Sequence, residues 1–452
     1  MINYIKSNGT FPSYSEALHL FDLANQIKFS PLGRINENMG KKELVYIDIT
    51  QFVKQGFQTG IQRVVNVFFL FASEHKFIFF KNGNYYEFNN LDLPKIQKGG
   101  RLMLYLEKVY QFIFKLTYSN SLKITAKKIR DIVFNFLYSD VKKVDIDDLL
   151  SASLFIPDLP SERSHLEAIL SLGSFTHIKL SLFVHDLIPI THPELMPTSS
   201  TNEFNLYAKI LLTADKIFCA SNFVKATYVG YRKMQREFNI DQRIYVMPFP
   251  QSLLDKNNKL RVVSRSFREL LGSSNFILAV GTILPRKNYS LLVRALRVLE
   301  NKNINCDLVV LAHSNWQDRG FDLACRTLKF NKVSIYYNSN DAELIYAYKK
   351  SLAVAFPSLA EGFGLPVMES LSYNKITIVN NIEPMKSLSL SKNLRKLENR
   401  AVAWADEIEK IINTKDIARK SGSGEASNME EKNLLEVKQN EWVRNLLTRI
   451  LN

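Results

Sequence analysis

Cysteine is scarce. Cys219, Cys306 and Cys325 stand far apart in a chain of 452 residues. No two have metal-ligand spacing, and an odd, dispersed set builds no disulfide framework, so a reducing cytoplasm is the expected compartment. Long apolar runs are also missing. The greasiest stretch, VVNVFFLFASEHKFIFF (64–80), is broken by Glu74, His75 and Lys76, and spanning a bilayer takes about 20 apolar residues. The opening segment MINYIKSNGTFPSYSE carries no apolar core of signal-peptide length. The expectation is a soluble or peripheral protein. Acidic residues fall short of basic ones, 44 against 59, for a net charge of +15. That surplus suits a phosphate-bearing ligand, an acidic membrane surface or a polyanion. A composition of 46% hydrophobic and 23% charged residues excludes disorder and fibrous repeats. At roughly 150 residues per domain, the length suggests two or three units.

Short apolar runs alternate with helical patterns almost throughout. Strands are expected at 43–50, 153–159, 178–186, 215–221 and 243–249 in the first half. In the second half they are expected at 275–282, 306–313, 332–338, 352–358 and 375–381. Helices are expected at 288–300, 341–351 and 366–373, and over the amphipathic stretches GIQRVVNVFFLFASE and TNEFNLYAKILLTA. Continuous apolar strands separated by helices mean parallel sheets covered on both faces. The fold class is therefore α/β, with two doubly wound Rossmann-like domains. The first spans 1–255 and the second 256–435, divided by the polar segment 252–266. A last helix over 436–452 is expected to pack back on the first domain, after a flexible linker at 415–433. Few strand signals occur over 84–150, which reads as a helical insertion. Within 101–143, nine Lys and Arg face only Glu107, Asp131 and Asp140, beside aromatic and aliphatic residues at helical spacing. Such a segment is either a solvated basic face or a membrane-surface helix pair.

Four constellations carry chemistry. In FPSLAEGFGLPVMES (356–370) a buried strand ends at Pro357 and Ser358, and a helix begins near Pro366, where proline is tolerated. Gly362 and Gly364 allow close backbone approach and positive φ. The amides of Gly364 and Leu365 then face the crevice above the sheet, where a helix N-terminus favours an anion such as pyrophosphate. Glu361 lies in the loop, and Glu369, inside the helix, suits a bidentate grip on ribose hydroxyls. In AVGTILPRKNYSLLVRAL (279–296) a strand leads through Gly281 and Thr282 to Arg286 and Lys287 just before a helix. Cations there clamp and neutralise a diphosphate leaving group. In FVHDLIPITHPEL (183–195) a strand delivers His185 and Asp186 at its carboxyl end, and Pro189 and Pro193 bar a helix directly after it. In YIDITQFVKQGFQTGIQRVVNVF (46–68) Gly60 opens a helix after Thr59, with Arg63 one turn in and able to reach an acceptor or phosphate.

Taken together, EGFGLPVME, GTILPRKN, HDLIP and TGIQRVV resemble the retaining nucleotide-sugar glycosyltransferases of the bacterial mannosyl- and hexosyltransferase family of lipopolysaccharide and capsule synthesis. The resemblance runs from about Tyr46 to Val379, with gaps over 84–150. It implies a B-type glycosyltransferase fold, with two Rossmann-like domains facing across a cleft. It implies a GDP- or UDP-linked hexose donor, GDP-mannose being favoured, and neither metal nor cofactor. It also implies a glycan or lipid-linked acceptor, no nucleic-acid partner, and a cytoplasmic enzyme peripheral to the inner face of the plasma membrane. By that resemblance Glu369 holds the ribose, and Lys287 and Arg286, beside Gly281 and Thr282, hold the pyrophosphate. Glu361 and the backbone from Gly362 through Phe363 and Gly364 to Leu365 orient the sugar. His185 lies over the reacting face, and Gly60, Arg63 and Asp186 lie on the acceptor side. Many such enzymes carry arginine where Thr282 stands and glycine where Asn374 stands, and NNIEPMKSLSLSKNLRK lacks their usual acidic, glycine-containing stretch. Two rival readings are a non-catalytic basic protein binding membrane or polyanion through 101–143, and an inverting sugar-nucleotide enzyme of the same fold. Steep loss of affinity with salt distinguishes the first, and product stereochemistry the second.

Overall fold

The computed structural model describes residues 10–11, 16, 44–55, 60–88, 141–176, 178–235, 239, 241–250, 262–272, 275–312, 318–329, 332–388, 391–420 and 430–452. Two sheets organise them. The first runs in the order β3-β2-β1-β4-β5-β6-β7, with β1 Val45–Asp48, β2 Lys76–Lys81, β3 Asn84–Phe88, β4 Ser153–Ile156, β5 Lys179–Val184, β6 Lys216–Cys219 and β7 Arg243–Val246. The second runs β10-β9-β8-β11-β12-β13, with β8 Phe276–Val280, β9 Asp307–Ala312, β10 Val333–Tyr337, β11 Ala353–Phe356, β12 Thr377–Asn380 and β13 Leu394–Leu397. All pairings are parallel except β2 with β3. Strand order reverses beside β1 and β4 in the first domain and beside β8 and β11 in the second, and doubly wound sheets bind ligands at such reversals.

The apolar strands follow from burial on both faces. In β8, Ile277 and Ala279 join one core cluster while Phe276, Leu278 and Val280 join the cluster across the sheet. In β1, Val45 and Ile47 point one way and Tyr46 the other. A strand with two dry faces has no place for alternating polar residues.

Several expectations are corrected. Asn84–Phe88, placed in a helical insertion over 84–150, is a strand antiparallel to Lys76–Lys81, and Lys143 bridges to Tyr86. The overlooked signal is Asn82-Gly83, whose φ values of 48° and 77° make the tight hairpin turn that such a pair favours. The segment KFIFFK was hidden because it continues the apolar run of the preceding helix, Gly60–Phe71, after only four residues. Most of the basic stretch 101–143 lies outside the described residues, as does most of the segment 252–266. The linker expected at 415–433 is helical at both ends, since helices Ala401–Lys420 and Glu430–Leu451 run into it. β13 is a strand beyond those expected, short and only half-buried, so no continuous apolar run marks it. Pro189 does not bar a helix: Ile188–Thr191 is a single turn with that proline in its first positions, and a 3-10 turn follows at Pro193–Leu195. Proline is harmless there because its missing N–H would be unpaired anyway.

The last helix crosses back to the first domain. Trp442, Val443, Leu446, Leu447 and Ile450 enter the same core cluster as Phe68, Phe183 and Phe249. Lys216 Nζ donates to the Ile450 carbonyl at 2.7 Å and Arg243 to that of Asn452 at 2.9 Å. Cations at a helix carboxyl end satisfy its free carbonyls and oppose its dipole. No helix among the described residues is long and apolar enough to cross a membrane.

Candidate active site

The carboxyl ends of β8 and β11, adjacent in the sheet, carry the cationic and the acidic loop. Beyond β8 the chain turns at Gly281, whose φ of 133° belongs to glycine. It passes half-buried Thr282 and makes a 3-10 turn, Pro285–Lys287, before the helix Tyr289–Asn301. The junction residue Asn288 is left-handed, at φ 52°, and its amide donates to Pro357 O and Asn399 Oδ1. From the other side Asn380 Nδ2 donates to Pro357 O and Ser358 O, while the Leu359 amide donates to Arg286 O. These bonds sew the two loops into one rigid unit.

Glu361 sits at its centre. It accepts from Lys287 Nζ at 2.5 Å and from Ser358 Oγ at 2.7 Å, with Arg286 Nη1 at 3.4 Å. Burial works to raise the Glu361 carboxyl, but Lys287 and Arg286 outweigh it and hold the group down at about 2. Burial lowers Lys287, with Glu361 acting against it. Arg286 also donates to Ala360 O. Two cations held side by side where a helix begins suit the oxygens of a diphosphate.

Gly364 caps the following helix, Leu365–Ser372, in the left-handed region at φ 85°. A Cβ there would meet the terminal methyl of Met385 at 2.4 Å, which that side chain could yield, so it is the positive φ that calls for glycine. Glu369, one turn in, is 1% exposed and accepts from Tyr348 Oη at 3.1 Å. Asn374, at φ 55°, does at this helix end what glycine does elsewhere.

The first domain closes over this unit. A Cβ on Gly362 would lie 2.1 Å from the His185 carbonyl oxygen and 2.7 Å from Asp186 Cβ. Ser221 Oγ donates to Gly362 O at 2.7 Å, Phe363 packs edge-on to Phe249 at 5.2 Å, and Leu365 joins the first domain's core beside Gly60. Asp186 feels Arg286 and Lys287, although burial still raises its carboxyl. His185 Nε2 donates to Pro157 O at 2.8 Å, and its ring stacks on Phe249. Burial lowers it to about 4, so it stays neutral in the physiological range. Gly362→Ala is therefore expected to force the domains apart, which an increased radius of gyration in small-angle scattering would reveal.

His185, Asp186, Lys287, Arg286, Glu361 and the glycine loop thus meet at one place. Arg63 is the exception. Expected on the acceptor side, it reaches across to the second domain, with Nη1 on Glu369 and Nη2 on Asp341, each at 3.1 Å. A nearly dry carboxylate needs a counter-charge, and Arg63 supplies it. Burial works to lower its guanidinium, but Glu369 and Asp341 prevail and hold it charged.

Asp158 was missed entirely. It follows β4 next to Pro157, 7% exposed, with Oδ1 accepting from the Leu159 amide and Oδ2 without a hydrogen-bond partner. Burial raises its carboxyl to about 7 against an ordinary 3.8. Between those values the folded chain keeps a proton that the unfolded chain releases, so its contribution to stability fades as pH rises from about 4 to 7. Asp158→Asn should consequently gain more in melting temperature, relative to wild type, at pH 8 than at pH 5.

Residues 264–426 match the family described as Glycosyl transferases group 1. This segment is similar to a group 1 glycosyltransferase domain. It contains both loops of the site. A serotype-specific mannosyltransferase WbdA of Escherichia coli is 24% identical over 263 residues, covering 54% of this chain and 30% of the relative. An O-antigen chain mannosyltransferase RfbU of Salmonella typhimurium is 24% identical over 235 residues, covering 51% and 60%. The chain thus spans less than two thirds of the length of either. Among solved structures, a UDP-forming α,α-trehalose-phosphate synthase from Burkholderia xenovorans, in complex with glucose-6-phosphate, superposes with TM-score 0.53 at 10% identity, covering 91% of this chain and all of that one. Anabaena HepE, in complex with UDP and glucose, gives 0.53 at 14%, covering 90% and 100%. The glycosyltransferase domain and its partner therefore share the two-domain B-type fold, as the resemblance implied.

Proposed function

We propose that this chain is a retaining glycosyltransferase that moves a hexose, with mannose favoured, from a GDP- or UDP-sugar to a glycan or lipid-linked acceptor in surface polysaccharide synthesis. The observation that carries this reading is the convergence of Lys287, Arg286 and Glu361 at the β8–β11 reversal, directly beneath His185 and Asp186 of the other domain. The mannosyltransferase relatives support the sugar, and the glycosyltransferase domain supports the reaction class.

In this mechanism Glu369 accepts from the ribose hydroxyls, while Lys287 and Arg286 bind the diphosphate. As the bond from the anomeric carbon to the diphosphate oxygen breaks, negative charge grows on that oxygen, and the two cations stabilise it. They supply the neutralisation that a divalent metal provides elsewhere, so neither metal nor cofactor is part of the proposal. The acceptor hydroxyl attacks from the same face and passes its proton to the departing phosphate. Neutral His185 and the Gly362–Leu365 loop wall the sugar and exclude water. The enzyme works on the cytoplasmic side, bound peripherally at the inner face of the membrane, where lipid-linked acceptors reside.

A thermal-shift screen of nucleotide-sugars tests the donor. At one hundred times its dissociation constant a ligand adds about 2.7 kcal/mol of stability, so GDP-mannose should raise the melting temperature clearly. No response to any nucleotide-sugar would remove the reading. The anomeric configuration of the product by NMR tests retention, and an inverted product would replace it with the inverting alternative.

A further inference from the structure

The carboxylate proposed to hold the ribose is already engaged. Glu369 Oε2 accepts from Tyr348 of its own domain, and Oε1 accepts from Arg63 of the other domain. A diol gripped at both oxygens uses Oε1, and because the Glu369 side chain is 1% exposed with Arg63 against it, the arginine has to move aside before a sugar can reach that atom. Arg63 is held by a second carboxylate, Asp341, which begins the helix Asp341–Lys350 and lies beside Glu369. The three side chains are 18%, 14% and 1% exposed. Around them the domains touch at two further places. Gly60, at the start of the helix bearing Arg63, packs on Leu365, at the start of the helix bearing Glu369. The Gly362 loop lies flush against the His185 carbonyl, too close for even a Cβ on that glycine.

We propose that Arg63 is a displaceable latch, which shuts the donor-free cleft by occupying the ribose-binding oxygen of Glu369 and must release it before the donor is seated. This rests on the donor assignment above. The design is reciprocal, since whatever favours the Arg63–Glu369 pair disfavours nucleotide by the same factor. Only the fraction of molecules with the latch released is competent to bind, and the apparent dissociation constant rises by the inverse of that fraction. Asp341 sets the fraction, because it grips Arg63 without itself being needed for the ribose.

The test uses the full chain and two readouts, with GDP and UDP as probes. The first is the radius of gyration without nucleotide, where Arg63→Met should exceed wild type. The second is nucleotide affinity by titration calorimetry, where Arg63→Met should bind the preferred nucleotide at least about fivefold more tightly, the low end of ordinary coupling between sites. Asp341→Asn keeps Arg63 and one of its bonds, so it should shift both readouts the same way by less, and it stands in should Arg63→Met fold poorly. Weaker nucleotide binding by Arg63→Met would make Arg63 a donor contact and overturn the latch. Unchanged size and affinity in both variants would overturn it too. A wild-type protein that binds neither nucleotide, with an Arg63→Met chain that still opens, would retain the interdomain latch and remove the donor assignment instead.

Discussion

Lys287→Ala should lower kcat by about 10²–10³-fold, the usual cost of removing one preorganised group that stabilises developing charge. The argument is geometric. Lys287 is 7% exposed, reaches Glu361 at 2.5 Å, and approaches the glycine loop from the adjacent strand end. Its removal deprives the leaving diphosphate of a cation and leaves the Glu361 carboxylate with Arg286 as its cationic partner among the described residues. Steady-state rates with saturating donor are the measurement, and wild-type turnover would strip Lys287 of its role. Lys287→Arg should recover only part of the loss, because a planar fork does not occupy the space of a compact ammonium.

Glu369→Ala should weaken nucleotide binding by about 10–100-fold, since hydrogen bonds to a charged group contribute about 1.5–3 kcal/mol. Freeing Arg63 works in the opposite sense, but it restores nothing to the ribose once its acceptor is gone. Calorimetry with GDP, UDP and their 2′,3′-dideoxy forms separates the terms. Wild-type protein should bind the dideoxy form about as weakly as Glu369→Ala binds the ordinary nucleotide, and the variant should no longer distinguish them. Persisting discrimination in the variant would place the ribose elsewhere.

How far the sequence disclosed this arrangement depended on whether the relevant physics was local. Strands β8 and β11 were readable because burial on both faces leaves an unbroken apolar run between turn residues. The glycine loop was readable because positive φ at Gly364 and the close approach at Gly362 demand glycine whatever surrounds them. Lys287 was readable from its place between a strand and a helix. Strands β2 and β3 escaped because their apolar residues merge with the preceding helix, although Asn82-Gly83 marked the turn. The partners of Glu369 escaped for a deeper reason. Arg63 lies 306 positions away along the chain, and nothing around a lone surface-looking arginine discloses a carboxylate in another domain. Tyr348 and Asp341 belong to one helix with an ordinary capping box at Asn340 and Glu343, which explains that helix's start and conceals its second use. Asp158 is unusual only once burial is known.

The return of the C-terminal helix to the first domain constrains how the cleft can move. The strand Arg243–Val246 belongs to the first domain, the strands from Phe276 to Leu397 to the second, and the helix Glu430–Leu451 to the first again, so the backbone passes twice between the halves. Two tethers define an axis, so the halves can swing about the line joining them far more freely than they can slide or separate. Because Trp442 and Ile450 floor the first domain, cutting the chain between the halves would bare a greasy aromatic bed, and neither piece would serve as a faithful stand-in for the whole.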